Sequence, residues 1–176
     1  EFRIAQGTYR PTAQLNRSAS FVLCSNWQLT GGYATGGSAA PTSSQITTLS
    51  GDIGAPNNDT DNVYHVVRIL NSAVPVKLTN ITFTGGNATG TGIDGQGGAV
   101  LIDGSGQSST ASPVFTNCIF RFNRARTGGA LYLNGASGGE VKSQFANCTF
   151  SNNVADEGGA IFSTAGSIGN CSPVFT

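Results

Sequence analysis

Residues 115–131 read FTNCIFRFNRARTGGAL, and residues 145–161 read FANCTFSNNVADEGGAI. Nine of these seventeen aligned positions are identical: Phe115/Phe145, Asn117/Asn147, Cys118/Cys148, Phe120/Phe150, Asn123/Asn153, Ala125/Ala155, Gly128/Gly158, Gly129/Gly159 and Ala130/Ala160. SPVFT at Ser112 returns at Ser172, and an earlier copy, LTNITFTGGNA from Leu78, is closed by GGAV from Gly97 after an insertion. The copies begin at Leu78, Phe115, Phe145 and Phe175, at spacings of 37, 30 and 30 residues. A period of this length marks a solenoid, propeller or array.

One period holds short apolar pieces of three to five residues, separated by Asn/Gly corners, with no helical segment. A propeller blade needs about forty residues in four antiparallel strands, which the spacing does not supply. Stacked coils of parallel strands are expected instead, each strand about 4.8 Å from its equivalent. Asn117 over Asn147 and Asn123 over Asn153 should then exchange amide hydrogen bonds along the stack, as in other side-chain ladders. Phe115, Phe120 and Ala130, with their partners, should fill the interior. Gly128, Gly129, Gly158 and Gly159 should supply backbone angles that residues with a Cβ avoid. The fold expected is an all-β parallel β-helix with coils of about 30 residues, forming one domain over 1–176.

Residues 1–75 lack the repeat. FRIAQGTY, SFVLCSNWQLTGGYA, QITTLSGDI and VYHVVRIL are strand-rich segments between Gly, Pro, Asn and Asp clusters, and should form irregular first coils before the regular ones of 76–176, the last of them incomplete. The composition agrees: 25 glycines and 37 serines and threonines leave little from which to build a helix.

Charge and hydropathy narrow the partners. Nine basic and nine acidic residues balance, with 10% of residues charged, so no basic face exists to neutralise nucleic-acid phosphates. No apolar run reaches the ~18 residues of a membrane-spanning helix.

IAQGTYRPT, ITTLSGDIG, YHVV and NITFTGGNA resemble the N-terminal coils of large secreted bacterial right-handed β-helix proteins with a pectin-lyase-like fold. The units from Phe115 and Phe145, F-x-N-C-x-F followed by N-x-A-x-x-G-G-A-[IL], resemble the repeats of chlamydial polymorphic outer-membrane proteins. The resemblance implies a right-handed solenoid at the cell surface or outside the cell, with a role in adhesion or surface architecture, and surface glycans or a host or neighbouring cell as partners. Other pectin-lyase-like proteins are polysaccharide lyases and hydrolases, and fold alone does not choose between them.

An enzyme would need two carboxylates facing one groove, or carboxylates for calcium beside a basic residue. The acidic residues are scattered, and no catalytic constellation is legible. His65, the only histidine, reads as a strand residue with a local hydrogen bond, and Arg121, Arg124 and Arg126 as solvated residues at a coil corner. Asn57, Asp59 and Asp61 alternate as in a calcium loop, but the glycine and distal glutamate of an EF-hand are missing, so a polar turn is expected and Asp59 and Asp61 are weak calcium candidates. A carbohydrate-binding or -cleaving site, the alternative reading, would lie near Asp52 to Asp61 or Arg121 to Arg126.

Six Asn-x-Ser/Thr triplets occur, at Asn16, Asn58, Asn80, Asn87, Asn147 and Asn170. Asn16, Asn58, Asn87 and Asn170 are the glycosylation candidates, whereas Asn147 should point inward. Cys118 and Cys148 fall in equivalent slots, where a strand spacing of about 4.8 Å is wide for a disulfide and favours a thiol ladder over a bridge. Cys24 and Cys171 belong to the first and last coils, too far apart to join within one molecule but placed for a bond between successive copies. The sequence stops four residues into a further coil. Either the natural chain continues or a second copy supplies the missing layer, which would give a head-to-tail filament.

Overall fold

A computed structural model describes residues 1–36, 40–56 and 58–176. The interior columns are set by the apolar positions just identified. Leu78, Phe115, Phe145 and Phe175 are successive partners in one parallel sheet, in the register that the repeat predicts. Two more rungs extend that column into the N-terminal region, Leu29 on Leu78 and Phe2 on Leu29.

This first sheet has six strands: Phe2–Ala5, Gln28–Tyr33, Lys77–Thr79, Val114–Thr116, Gln144–Ala146 and Val174–Phe175. The second has five: Gly7–Tyr9, Thr47–Ser50, Ile81–Thr84, Ile119–Arg121 and Thr149–Ser151. The third also has five: Phe21–Leu23, Val67–Leu70, Val100–Asp103, Leu131–Asn134 and Ile161–Thr164. A three-stranded sheet over Asn87–Ala88, Arg124–Thr127 and Val154–Glu157, and a pair over Glu140–Val141 and Asn170–Cys171, fill the remaining sides. Every pairing is parallel, and the chain visits the three main sheets in the same order on each circuit, so the fold is an all-β parallel β-solenoid. The last two circuits are 30 residues each, and the first, Phe2 to Leu29, is close to that at 27. The rung Leu29↔Leu78 encloses two long excursions, one between Tyr33 and Thr47 and one between Ser50 and Val67, so the second circuit is far longer.

Phenylalanines stack through the interior at the rung spacing. Phe83, Phe120 and Phe150 are parallel at 4.9 and 4.7 Å, and Phe115 and Phe145 at 5.1 Å. Between the two columns the rings meet edge to face, as Phe115 and Phe120 do at 5.4 Å. Each such pair adds about 0.5–1.5 kcal/mol beyond the area it buries. Phe115, Phe120, Phe145 and Ala130 are buried, while Phe150 is half-buried.

The corners explain two departures from the expected ladder. Between the first and second sheets the chain turns on Asn80, Asn117 and Asn147, all left-handed at φ 56°, 53° and 52°, a conformation that asparagine tolerates better than most residues. There the side chains point outward. Asn117 is exposed and donates from Nδ2 to Asn80 Oδ1 at 3.2 Å, one coil back, while Asn147 is exposed, so its expected inward placement is overturned. The inward ladder is at the next corner, where Asn123 Nδ2 donates to Asn153 Oδ1 at 3.0 Å, and Asn123 Oδ1 accepts from the Gly86 amide at 3.1 Å.

The paired glycines divide their work. Gly128 and Gly158 have φ of 66° and 60°, as expected. Gly129 and Gly159 do not share that conformation. At Gly129 the requirement is close approach, since an added Cβ would overlap the carbonyl oxygen of Gly159 in the next coil.

Candidate functional site

The second excursion and the fourth circuit, distant in sequence, come together on one lateral face. A groove of about 190 Å³ is lined by Asp59 and Asn62 from the excursion, Gly86 and Asn87 from the third circuit, Phe122, Asn123 and Arg124 from the fourth, and Asn152 and Val154 from the fifth. The short 3₁₀ turn Asp59–Asp61 forms one wall, started by Asn58, whose Oδ1 accepts from the Thr60 amide. Arg17 pins the excursion to the coil, donating from Nε to Asn62 O at 2.7 Å and from Nη2 to Asn87 O at 3.0 Å. Asn87 Nδ2 donates to Asp59 O at 2.5 Å.

Two features of this groove bear on its chemistry. Asp59 and the exposed Arg124 place an acidic and a basic residue in one lining, while Asn62 and Asn87 are buried, their Oδ1 atoms shut off from solvent and without a partner among the described residues. Phe122 lies at the mouth, 59% exposed, with φ 55°, in the slot occupied by Gly85 and Asn152 in neighbouring coils. A bulky residue in the left-handed region is strained, and its ring is presented to solvent rather than to the core.

A larger hollow of about 390 Å³ lies over the first corner, between Pro41 to Thr47 of the first excursion and Asn80 to Thr82, Asn117 and Ile119. None of its lining residues is charged.

The other expected sites are dispersed. Asp61 is committed to its turn, its Oδ2 accepting from the Ala55 amide at 2.9 Å and Asn58 Nδ2 at 3.1 Å. Asn57 lies outside the described residues. Among the described residues no three His, Cys, Asp or Glu side chains gather as a metal group. His65 is in the turn before its strand rather than within it. Buried, it shares a 3.0 Å hydrogen bond between Nδ1 and Gly97 O, one coil away, and burial lowers its pKa. Arg121, Arg124 and Arg126 are exposed.

Of the glycosylation candidates, Asn16 and Asn58 are exposed, Asn170 is half-buried, and Asn87 is buried and bonded, which removes it from the set. Asn147, set aside on sequence, is exposed.

All four cysteines are free thiols: Cys24 exposed, Cys118 buried, Cys148 and Cys171 half-buried. Burial pushes the Cys118 thiol well up, while the neighbouring Cys118 brings Cys148 down to about 7. Burial raises Cys171.

Among the described residues no helix is long and apolar enough to cross a membrane. Comparison with protein families, curated proteins and solved structures finds no match.

Sequence reasoning nominated Asp59 and Arg124 separately and Asn87 only for glycosylation, but missed Asn62 and Phe122. A phenylalanine in a slot held by glycine and asparagine elsewhere is the one signal that could have found the groove's mouth.

Proposed function

We propose that this solenoid is a structural or adhesive protein of the cell surface or exterior, able to associate with copies of itself along the coil axis or to hold glycans or a neighbouring cell by its lateral faces. The observation that carries this reading is the outer face of the first sheet. Thr30, Thr79 and Thr116 form one outward column, and Gln28, Lys77, Val114 and Gln144 another, in register at about 4.8 Å. A column of threonine hydroxyls beside a mixed column of glutamine, lysine and valine on a rigid sheet favours many weak contacts in parallel, which multiply into avidity. The resemblance of the repeats to surface proteins supports the same reading.

A test is negative-stain electron microscopy of the purified protein combined with sedimentation on cell walls and insoluble polysaccharides. Fibres, or co-sedimentation with a surface, are expected. A monodisperse protein that binds no surface and cleaves a soluble polysaccharide would contradict the proposal.

A second reading is favoured by the lateral groove, where Asp59 and Arg124 share one hollow with an exposed aromatic ring. That set suits a carbohydrate: hydroxyls donate to the carboxylate, the guanidinium donates to ring oxygens, and Phe122 offers a stacking surface. Polysaccharide binding or cleavage that disappears in Asp59→Ala and Arg124→Ala would select it. The same affinity in both variants and the parent would exclude it.

A further inference from the structure

Thiols outside any groove remain unexplained by either reading. Cys118 and Cys148 follow left-handed asparagines at equivalent corners, flanked on one side by the rung Thr116↔Ala146 and on the other by Ile119↔Thr149, so the backbone holds the two cysteines opposite one another in adjacent coils. Cys118 Sγ contacts Leu78 O at 3.5 Å, in the coil behind it. Cys148 Sγ makes the equivalent contact with Phe115 O at 3.6 Å, also one coil back, so the two side chains lie on the same side of their corners. A rung spacing of about 4.8 Å lies inside the range of Cα separations that disulfides span, roughly 4.4–6.8 Å, and a few tenths of an ångström beyond their usual Cβ separations of about 3.5–4.5 Å, so the bridge requires the side chains to rotate and the two coils to draw slightly together.

We propose that Cys148 and Cys118 form a peroxide-reactive dithiol, in which Cys148 is oxidised first and Cys118 resolves it into a disulfide joining adjacent coils. The Cys148 thiolate attacks one oxygen of a hydroperoxide, the O–O bond breaks, and Cys148 becomes a sulfenic acid as hydroxide or alkoxide leaves. The Cys118 sulfur then attacks the Cys148 sulfur, giving up its proton, and the sulfenic oxygen departs as water. Two thiols are oxidised and one peroxide is reduced.

The order follows from environment. Cys118 is enclosed by the core, where a thiolate is poorly solvated, so it stays protonated, its Sγ donating to Leu78 O and Thr116 O. Cys148 is half-buried, so water and peroxide reach it, and it has the lower pKa of the two. Neither Cys24 nor Cys171 has a cysteine in the equivalent slot of the adjoining coil: Cys171 sits on Val141.

The test uses the full chain carrying Cys24→Ser and Cys171→Ser, so that only the pair remains. After hydrogen peroxide, denaturation and alkylation, tryptic cleavage at Arg121 and Lys142 separates the two cysteines unless they are bridged. The expected result is a monomer lighter by two hydrogens, one cross-linked peptide pair, and recovery of both thiols with dithiothreitol. With dimedone present during oxidation, label should accumulate on Cys148 roughly tenfold over Cys118, in line with its greater exposure and thiolate character. Adding Cys118→Ser should leave Cys148 labelled and unbridged. Full alkylation of both cysteines after peroxide would overturn the proposal, as would equal dimedone labelling of the two, which needs no further substitution to observe.

Discussion

The fourth and fifth circuits and the first two share the same three sheets, yet hold them together in different ways. In the repeats, each residue is stabilised by its own likeness one layer away: phenylalanine on phenylalanine, asparagine bonded to asparagine. In the N-terminal region the same columns are built from unlike residues, Leu49 under Phe83 and Phe2 under Leu29, and the corners are closed by long-range bonds. Arg17 reaches two carbonyls forty-five and seventy positions away, and Thr47 Oγ1 both accepts from the Gly32 amide and donates to Ala5 O. Self-similarity is therefore one way to satisfy a coil, and not a requirement of the fold. What the fold requires is the inward apolar column and a left-handed residue at the corner.

The sharpest way to stress that contrast is within the column Leu49–Phe83–Phe120–Phe150. Phe120→Ala removes a buried ring stacked on both sides and should cost about 3–5 kcal/mol, whereas Leu49→Ala should cost about 2–3 kcal/mol, both read from denaturant unfolding. An equal or reversed order would mean that stacking adds nothing to burial.

A smaller effect separates two glycines that the sequence presents as equivalent. Gly129→Ala should destabilise by about 1–3 kcal/mol because its Cβ collides with backbone in the next coil. Gly159→Ala meets its nearest atom, Asn153 O, at 3.9 Å and should stay within about 0.5 kcal/mol. Equal losses at both would show that close approach is not what selects Gly129.

The smallest is a pH effect carried by the N-terminal region alone. Burial lowers the pKa of His65 from 6.5, so below that value the unfolded chain binds a proton that the folded one resists. Stability should fall as pH drops through about 6.5 towards the folded value, by at most about 1.4 kcal/mol per pH unit. Thermal melts at about pH 7.5 and pH 5.5 should show a smaller difference in His65→Asn than in the parent.

How far the sequence carried is clearest residue by residue. Leu78, Phe115, Phe145 and Phe175 were legible because side chains and period coincide. The rungs at Phe2 and Leu29 were not, because the excursions between Leu29 and Leu78 change the spacing and neither residue sits in the repeated motif. Asn117 and Asn123 look alike in the repeat, but a left-handed corner turns the first outward while the second points in, and that distinction lies in backbone angles. Gly129 was assigned to backbone conformation when crowding between layers selects it. Asp59 and Arg124 are sixty-five positions apart, and only the folding-back of the second excursion, pinned by Arg17, puts them in one groove.

Hydrogen exchange read by mass spectrometry tests most directly whether unlike and self-similar circuits form one stack. The continuous sheets predict that amides of Thr47–Ser50 and Val67–Leu70 are protected to a degree approaching those of Ile119–Arg121 and Leu131–Asn134, since each lies on the same ladder with a strand on either side. Exchange of the N-terminal strands within seconds, beside full protection of the repeats, would contradict it and leave residues 1–75 as a separate, loosely attached segment.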